Sequence, residues 1–395
     1  MTLPLDGIIV LDMSRALAGP YCSEMLADMG ADVIKIERPG KGDDSRHWGP
    51  PFQEGESAYF MSINRNKRSI TLNIQKEEGQ ELFKRLVAKA DVVIENMRPG
   101  KLEKKGISYK DLSKNNERLI WCSVTGFGLT GPDAMRPGYD IIAQGMGGMM
   151  SITGEPNMPI RPGVATADIT TGMFAAYGIM TALFERERSG KGQHVDTSLF
   201  EGQIAQMTYQ AGRYFATGEA PGRFGNRHPL IAPYETIEAE DGVVNVAVGN
   251  DALWVKFCDA LELKDLKEHP SFATNPDRVN HRKELIEGIE ETTASMTVDE
   301  IREALDEVGV PNGPVWDLDD VFSSEQAKAR DMVVEVEHPK AGTLKMTGIP
   351  VKFSRTPGSI RKAPPLLGEQ TDEVLKELLE MKDDEIKSLH EKEVL

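Results

Sequence analysis

The sequence predicts an α/β protein: a Rossmann-like open parallel sheet forms a large domain, and a smaller α+β domain is set into the chain. Three observations predict it. Short apolar runs that read as buried strands alternate with amphipathic helical stretches through the first third of the chain. A Gly-, Pro- and Met-rich stretch from Gly126 to Pro162 interrupts that rhythm without ending it. A new strand followed by helices begins after about residue 225, and strand-like pieces and a charged helix close the chain.

Taken in order, Ile8 to Leu11 reads as the first strand, ending at Asp12. Pro20 is placed to open the first helix, where its missing N–H costs nothing, and Gly30 to stop it. Asp32 to Glu37 is the second strand. A helix with apolar positions Leu82, Phe83, Leu86 and Val87 leads to the run Val92-Val93-Ile94, and later comes Leu119 to Val124. Ile169 to Glu187 reads as a helix whose apolar stripe is Met173, Tyr177, Met180, Leu183 and Phe184, and another helix starts near Ser198. Ala220 to Pro233 is loop-like, and Gly242 to Val248 opens the smaller unit. The expected divisions are 1–224 for the large domain, 225–325 for the small one, and 326–395 for a segment that returns to the large domain.

At 395 residues the chain is long enough for about two or three domains at roughly 150 residues each. With 39% hydrophobic and 28% charged residues it has the composition of a globular protein. A net charge of -17 argues against general nucleic-acid binding, which needs clustered Lys and Arg, so an anionic ligand requires a local basic pocket. Three well-separated cysteines and seven histidines without metal-ligand spacing predict no disulfide framework and no metal site. The N-terminal residues lack the pattern of a signal peptide, and no continuous apolar run reaches ~18 residues, so a cytoplasmic protein with no membrane partner is expected.

Gly126-Phe127-Gly128-Leu129-Thr130-Gly131 is a literal GxGxxG after a strand, which would suggest a dinucleotide enzyme. Pro132 and Pro137-Gly138 follow it, however, and the helix that should receive the pyrophosphate is missing. Asp168 is the sharper candidate. Its local sequence is that of a helix N-cap; the functional alternative uses the same geometry, since a carboxylate held ionised by the dipole at a helix N-terminus can attack a thioester. Arg38, Lys67, Arg68, Arg98, Lys101, Lys104 and Lys105 lie in the N-terminal third, several after strand ends, where ligands of open α/β sheets bind. Most of them are read as solvated surface charges, with Arg38 and Lys104 preferred as contacts to a phosphate-bearing ligand. His228, in the loop Asn226-Arg227-His228-Pro229, is read as having a structural or solvent role rather than one in a site.

Pro4 to Asp12, Ala18-Gly19-Pro20, Ala27 to Glu37, Asn64 to Ile70, Glu95 to Gly100, Gly190 to Gln193 and Pro364 to Glu369 together resemble the class III CoA-transferases (CaiB/BaiF, formyl-CoA transferase type) over essentially the whole chain. The resemblance implies an enzyme (EC 2.8.3.-) whose substrates are acyl-CoA thioesters and carboxylic acids, with no tightly bound cofactor, acting as an interlocked homodimer. Residue by residue, Asp168 falls on the family's catalytic aspartate. Ala18 and Arg38, the turn Asn96-Met97-Arg98, Leu72-Asn73 on the adenine side, Lys104, and Tyr139-Asp140 at the thioester end match its CoA-binding positions. Lys104 stands where many members have arginine, which keeps the charge without assuring a bidentate contact.

Within this superfamily, racemases of 2-methylacyl-CoA carry His where Tyr139 stands, which favours transfer. Formyl-CoA:oxalate enzymes carry Gln where Leu17 stands and a glycine run where this chain reads Val248-Gly249-Asn250-Asp251. Gly42 to Phe52 and Ile231 to Tyr234 look most like the glutarate CoA-transferase branch, with succinyl-CoA as donor and a dicarboxylate as acceptor. The mechanism implied passes through an aspartyl-CoA thioester on Asp168. Backbone N–H groups of Gly145 to Gly148 are expected to stabilise the oxyanion, and Arg15, Arg46 and Arg65 are candidates to bind a distal carboxylate.

Overall fold

In the computed structural model, which describes residues 2–395, six strands form one parallel sheet: β1 (Ile9–Asp12), β2 (Asp32–Glu37), β3 (Lys67–Thr71), β4 (Val92–Glu95), β5 (Ile120–Thr125) and β6 (His194–Ser198). Their order across the sheet is 3-2-1-4-5-6. After β3 the chain crosses back to lay β4 beside β1, so the winding direction reverses between β1 and β4. Side chains alternate between the faces, and both faces are covered. Val10, Val33, Val92, Ile94 and Cys122 pack on helices α1 (Ala18–Asp28) and, later in the chain, Thr166–Ser189. Leu11, Ile34, Val93 and Trp121 face α2 (Glu77–Val87) and the C-terminal helices. A strand buried on both faces must read as a continuous apolar run, which is why these strands are legible in the sequence.

Helix α1 begins at Ala18 rather than Pro20, which sits in its first turn, and Gly30, with φ at +111°, turns the chain into β2. Between β5 and β6 lie α3 (Asp140–Met146) and α4 (Thr166–Ser189), and α5 (Leu199–Gln206) follows β6, capped by Ser198 Oγ. The GxGxxG segment has no helix after it until Asp140. Gly126 packs on Gly138 so closely that an added Cβ would lie 2.9 Å from the Gly138 Cα, so this glycine serves backbone contact.

The orientation of α4 departs from the sequence reading. Its buried face is mostly small residues, among them Ala167, Gly172, Ala175, Ala176 and Ala182, joined by Ile179 and, toward its end, Leu183 and Arg186, whereas Met173, Tyr177, Met180 and Phe184 of the expected stripe are exposed. The reason is close packing on α1: a Cβ on Gly172 would lie 2.6 Å from the Ala18 carbonyl oxygen, so only small residues fit there. Leu183 alone of the stripe is buried.

The chain divides into two compact units, one comprising Met1–Met149, Arg161–Gly218 and Glu325–Leu395, the other Met150–Ile160 and Glu219–Ser324. The second unit carries an antiparallel sheet of β7 (Tyr234–Glu238), β8 (Val243–Ala247) and β9 (Asn312–Pro314). Three of its helices, α6 (Asp251–Ala260), α7 (Arg282–Thr293) and α8 (Val298–Val308), supply Trp254, Phe257, Leu285, Ile289, Ile301 and Leu305 to its core. In the first unit, β10 (Val333–His338) and β11 (Gly342–Thr347) form a hairpin. Helices α9 (Thr371–Leu379) and α10 (Asp383–Glu391) return to the sheet, where Val374, Leu375 and Ile386 join its core.

Candidate active site

The carboxyl ends of the six strands point their following loops to one side of the sheet, and a cleft of about 290 Å³ opens there in the first unit. Several loops each supply a different part of it. The segment after β1 brings Arg15 and Ala18, that after β4 brings Asn96, Met97, Arg98 and Lys101, and that after β5 brings Gly126, Arg136 and Tyr139. Asp168 enters from α4 and Trp48 and Tyr59 from the segment between β2 and β3. A second cleft of about 240 Å³ lies after β2 and β3, lined by Arg38, Leu72 and Gln75, and it shares Arg15, Met97 and Lys101 with the first.

Asp168 stands in the first turn of α4, three residues beyond the N-cap Ala165, so it is not the cap. The capping acceptor is Asp140, whose Oδ1 accepts the Ala167 N–H at 3.0 Å while its Oδ2 accepts from Gln144 Nε2 at 2.7 Å. That places a second carboxylate near Asp168. Burial first, and the Asp140 charge second, push the Asp168 carboxyl up to about 7. The expectation that the helix dipole holds it fully ionised is therefore corrected: at neutral pH both forms are populated. Tyr59, beside it in the cleft and edge-on to Trp48 at 5.0 Å, is pushed up to about 12 by burial and by the charges of Asp168 and Asp140. Its hydroxyl is neutral at any working pH.

The loop after β1 is held from below. Asp43 Oδ1 accepts the Ala16 N–H at 3.2 Å, where Ala16 takes a left-handed φ of +66°, and Asp43 Oδ2 lies 2.8 Å from Lys35 Nζ. Lys35 Nζ also donates to the Ser14 carbonyl at 3.0 Å. Asn96 brackets Arg15 from the other side, accepting its N–H at 3.0 Å and donating to its carbonyl at 2.7 Å. The Arg15 side chain pairs with Asp44 at 2.9 Å, and its buried Nε has no partner. Lys101 sits among Arg15, Arg38, Lys105 and Arg98, and burial together with those charges lowers its pKa. The result is a cationic wall facing a carboxylate, at the place where an anionic ligand would bind.

Residues 5–371 match CoA-transferase family III. The chain belongs to that family. It is 42% identical over 387 residues to the mouse succinyl-CoA:glutarate CoA-transferase, covering 98% of this chain and 89% of that protein. It is 43% identical over 382 residues to a succinate–glutarate CoA-transferase of Agrobacterium fabrum, covering 95% and 96%. A solved CAIB/BAIF family protein from Brucella suis superposes with a TM-score of 0.85 at 45% identity, covering 96% of this chain and all of that one.

Set against the positions that resemblance to family III implied, the structure gathers most but not all of them. Ala18, Asn96, Met97, Arg98 and Tyr139 line the Asp168 cleft, and Arg38 and Leu72 line its neighbour. Asn73 does neither: its N–H donates to the Val394 carbonyl at 2.8 Å and its Oδ1 accepts the Gln75 N–H, so it anchors the loop rather than facing the cleft. Lys104 lies in the short helical turn Glu103–Lys105 and lines neither cleft; Lys101, one turn earlier, lines both. Asp140 acts as the cap described above.

All three candidate arginines have carboxylate partners. Arg46 forks onto Glu37 through Nε and Nη2, both at 2.7 Å, Arg65 is buried against Asp28 and Glu24, and Arg15 pairs with the partly exposed Asp44; of the three, Arg15 lines the Asp168 cleft. Lys67 and Arg68 are not solvated either: the first is wholly buried on Asp12, Asn64 Oδ1 and the Pro20 carbonyl, the second on Asp32, Glu373 and Glu377. Gly145 lies inside α3 and the Gly147 N–H donates to the Ala143 carbonyl at 2.7 Å, so neither backbone N–H faces the cleft as an oxyanion donor.

Tyr59 and Arg136 went unread. Arg136 carried a signal, being the one cation in the Gly- and Pro-rich stretch before Tyr139, whereas Tyr59 is placed only by tertiary structure.

Proposed function

We propose that this family III enzyme transfers CoA from succinyl-CoA to a dicarboxylate acceptor through a covalent aspartyl-CoA thioester on Asp168. The observation that carries the reading is a carboxylate on the first turn of a long helix, without an ion-pair partner among the described residues, lining the same cleft as Arg15, Arg98, Lys101 and Arg136. The names of the relatives, which cite succinyl-CoA with glutarate and with D-citramalate, support the choice of donor and the class of acceptor.

The chemistry balances without proton transfer at the leaving groups. An Asp168 oxygen attacks the thioester carbonyl of succinyl-CoA, the C–S bond breaks, and an aspartyl-succinyl anhydride and CoA thiolate form. The thiolate attacks the aspartyl carbonyl of the anhydride and releases succinate, leaving the Asp168–CoA thioester. The acceptor carboxylate then attacks that thioester, forming a second anhydride and thiolate. Attack of the thiolate on the acceptor's acyl carbon gives the new acyl-CoA and restores Asp168. The two contiguous clefts suit a long ligand, its nucleotide end toward Arg38 and Leu72 and its sulfur toward Asp168. Arg15 is the cation we assign to the acceptor's distal carboxylate.

The strand order 3-2-1-4-5-6 supports describing the large unit as Rossmann-like. The outward face of α4, with Tyr177 70% exposed and Phe184 69% exposed, supports a homodimer in which this face is covered. Three free, buried cysteines fit a cytoplasmic setting.

The deciding experiment is the intact mass of the protein after mixing with succinyl-CoA, with and without hydroxylamine. A CoA-sized adduct that hydroxylamine removes and that is missing in Asp168→Ala is expected. An unmodified protein that turns over its substrates would rule out the covalent route.

A further inference from the structure

Seven acids are buried among the described residues, and Glu95 alone of them has no Lys or Arg in an ion pair with it. Glu95 ends β4, Ser123 stands opposite it in β5, and His194 opens β6. Their side chains form a row across the three strands. Ser123 Oγ donates to Glu95 Oε1 at 2.5 Å and lies 2.9 Å from His194 Nε2. The remaining carboxylate oxygen, Oε2, accepts the Met97 N–H at 2.7 Å. The three residues line a cavity of about 250 Å³ under the 96–110 segment, separate from the Asp168 cleft but sharing Met97, Arg98 and Pro99 with it. Glu95 thus holds from beneath the same turn that presents Asn96 to Arg15 and Arg98 to the cleft.

We propose that Glu95 is a positioning residue for CoA: through its bond to the Met97 N–H it sets the Asn96–Arg98 turn in its ligand-binding shape, and Ser123 and His194 tie the strength of that bond to proton uptake. This rests on the reading of the cleft as the CoA site. Ionised Glu95 makes a charge-assisted bond to Met97, roughly twice as strong as the bond of the neutral acid. A neutral His194 with Nε2–H donating to Ser123 suits the ionised state. When a proton enters at His194 Nδ1, the Nε2 proton passes to Ser123 Oγ and the Ser123 proton to Glu95 Oε1, so the row reverses, Glu95 donating to Ser123 and Ser123 to the freed Nε2 lone pair.

The groups facing this acid are few. His194 and Asp196 come from β6, Cys122 and the Trp121 indole, which also hydrogen-bonds the carboxylate, from β5, and Arg98, Glu103, Tyr109 and Lys110 from the segment above. Burial pushes the Glu95 carboxyl up to about 7, against the bonds from Ser123, Met97 and Trp121 that favour its ionised form, so both states exist at neutral pH.

The test uses Asp168→Asn enzyme, in which the catalytic acid no longer titrates, and reads CoA affinity by calorimetry from pH 5.5 to 8.5. Affinity is expected to rise about three- to tenfold through pH 7 beyond the change seen in Asp168→Asn/Glu95→Gln, which stays at the weak, low-pH level. The titration of CoA's own phosphate is common to both proteins and cancels. Adding Ser123→Ala to Asp168→Asn instead should move the midpoint upward, because it removes a bond that lowers the Glu95 pKa.

Superimposable curves with and without Glu95→Gln overturn the proposal. If Glu95→Gln fails to fold, an unmoved midpoint in the Ser123→Ala protein does so. Arg98→Ala separates the two readings: if it weakens CoA at every pH while Glu95→Gln changes nothing, only the positioning role fails. If Arg98→Ala binds CoA like its parent, the cleft assignment itself is wrong, and the positioning role falls with it.

Discussion

Lys35 Nζ lies 2.8 Å from Asp43 Oδ2, and neither side chain is reached by solvent. Burial alone would raise the Asp43 carboxyl, yet the adjacent Lys35 charge, with the N–H groups of Ser45 and Ala16, holds it at about 2. The pair fixes the backbone of Ser14 and Ala16, and through it the place of Arg15 in the cleft. Asp43→Asn leaves the Lys35 ammonium buried without its counter-charge and is expected to cost about 3 kcal/mol in urea unfolding, with a raised KM for acyl-CoA. Lys35→Met/Asp43→Leu should recover part of that stability without restoring the KM.

As the proposed nucleophile, Asp168 gives the reaction a pH dependence. With its pKa at about 7, kcat is expected to rise as pH increases from 6 to 8 and the nucleophile ionises. Asp168→Asn should lower kcat by at least about 10³-fold with the fold retained by circular dichroism. A pH-independent kcat would rule out this titration.

The same shift makes a stability statement of opposite sign. The folded-state pKa lies above the unfolded value of 3.8, so folded Asp168 binds more protons between pH 4 and 7, and its contribution falls as pH rises through that window. Asp168→Asn is therefore expected to be more stable than the wild type by about 1–2 kcal/mol at pH 8 and nearly equal to it at pH 4, as measured by chemical unfolding.

Asp140→Asn keeps an oxygen to accept the Ala167 N–H but removes the charge that raises Asp168. The midpoint of the kcat profile should move toward lower pH by about half a unit to one unit. An unchanged midpoint would show that burial alone sets it.

The outward face of α4 and the exposed aromatic residues near it predict the oligomeric state. Tyr177→Glu/Phe184→Glu, on the exposed side and away from the cleft, should convert a dimer to a monomer by light scattering. A wild-type monomer would overturn the homodimer reading.

The first βαβ unit, the later buried strands and the resemblance carried by Asn96-Met97-Arg98 and Asp168 were legible in the sequence because each is local: a strand buried on both faces is apolar throughout, and a turn after a strand keeps its motif intact. What the sequence could not show is which faces meet. The large apolar residues of α4 promise a core stripe by periodicity, but the close approach of Ala18 to Gly172 selects the small-residue face and turns Tyr177 and Phe184 outward. Arg46 and Arg65 look like ligand arginines until Glu37 and Asp28, distant in sequence, occupy them.

By itself, then, the sequence determined the alternating α/β architecture and the family, and it singled out Asp168 as the candidate nucleophile. The tertiary structure alone decided which charges remain available to a ligand and where the Asp168 pKa settles. Both depend on long-range neighbours such as Lys35 beside Asp43 and Asp140 beside Asp168, and a charge buried by folding takes its properties from what folding places against it.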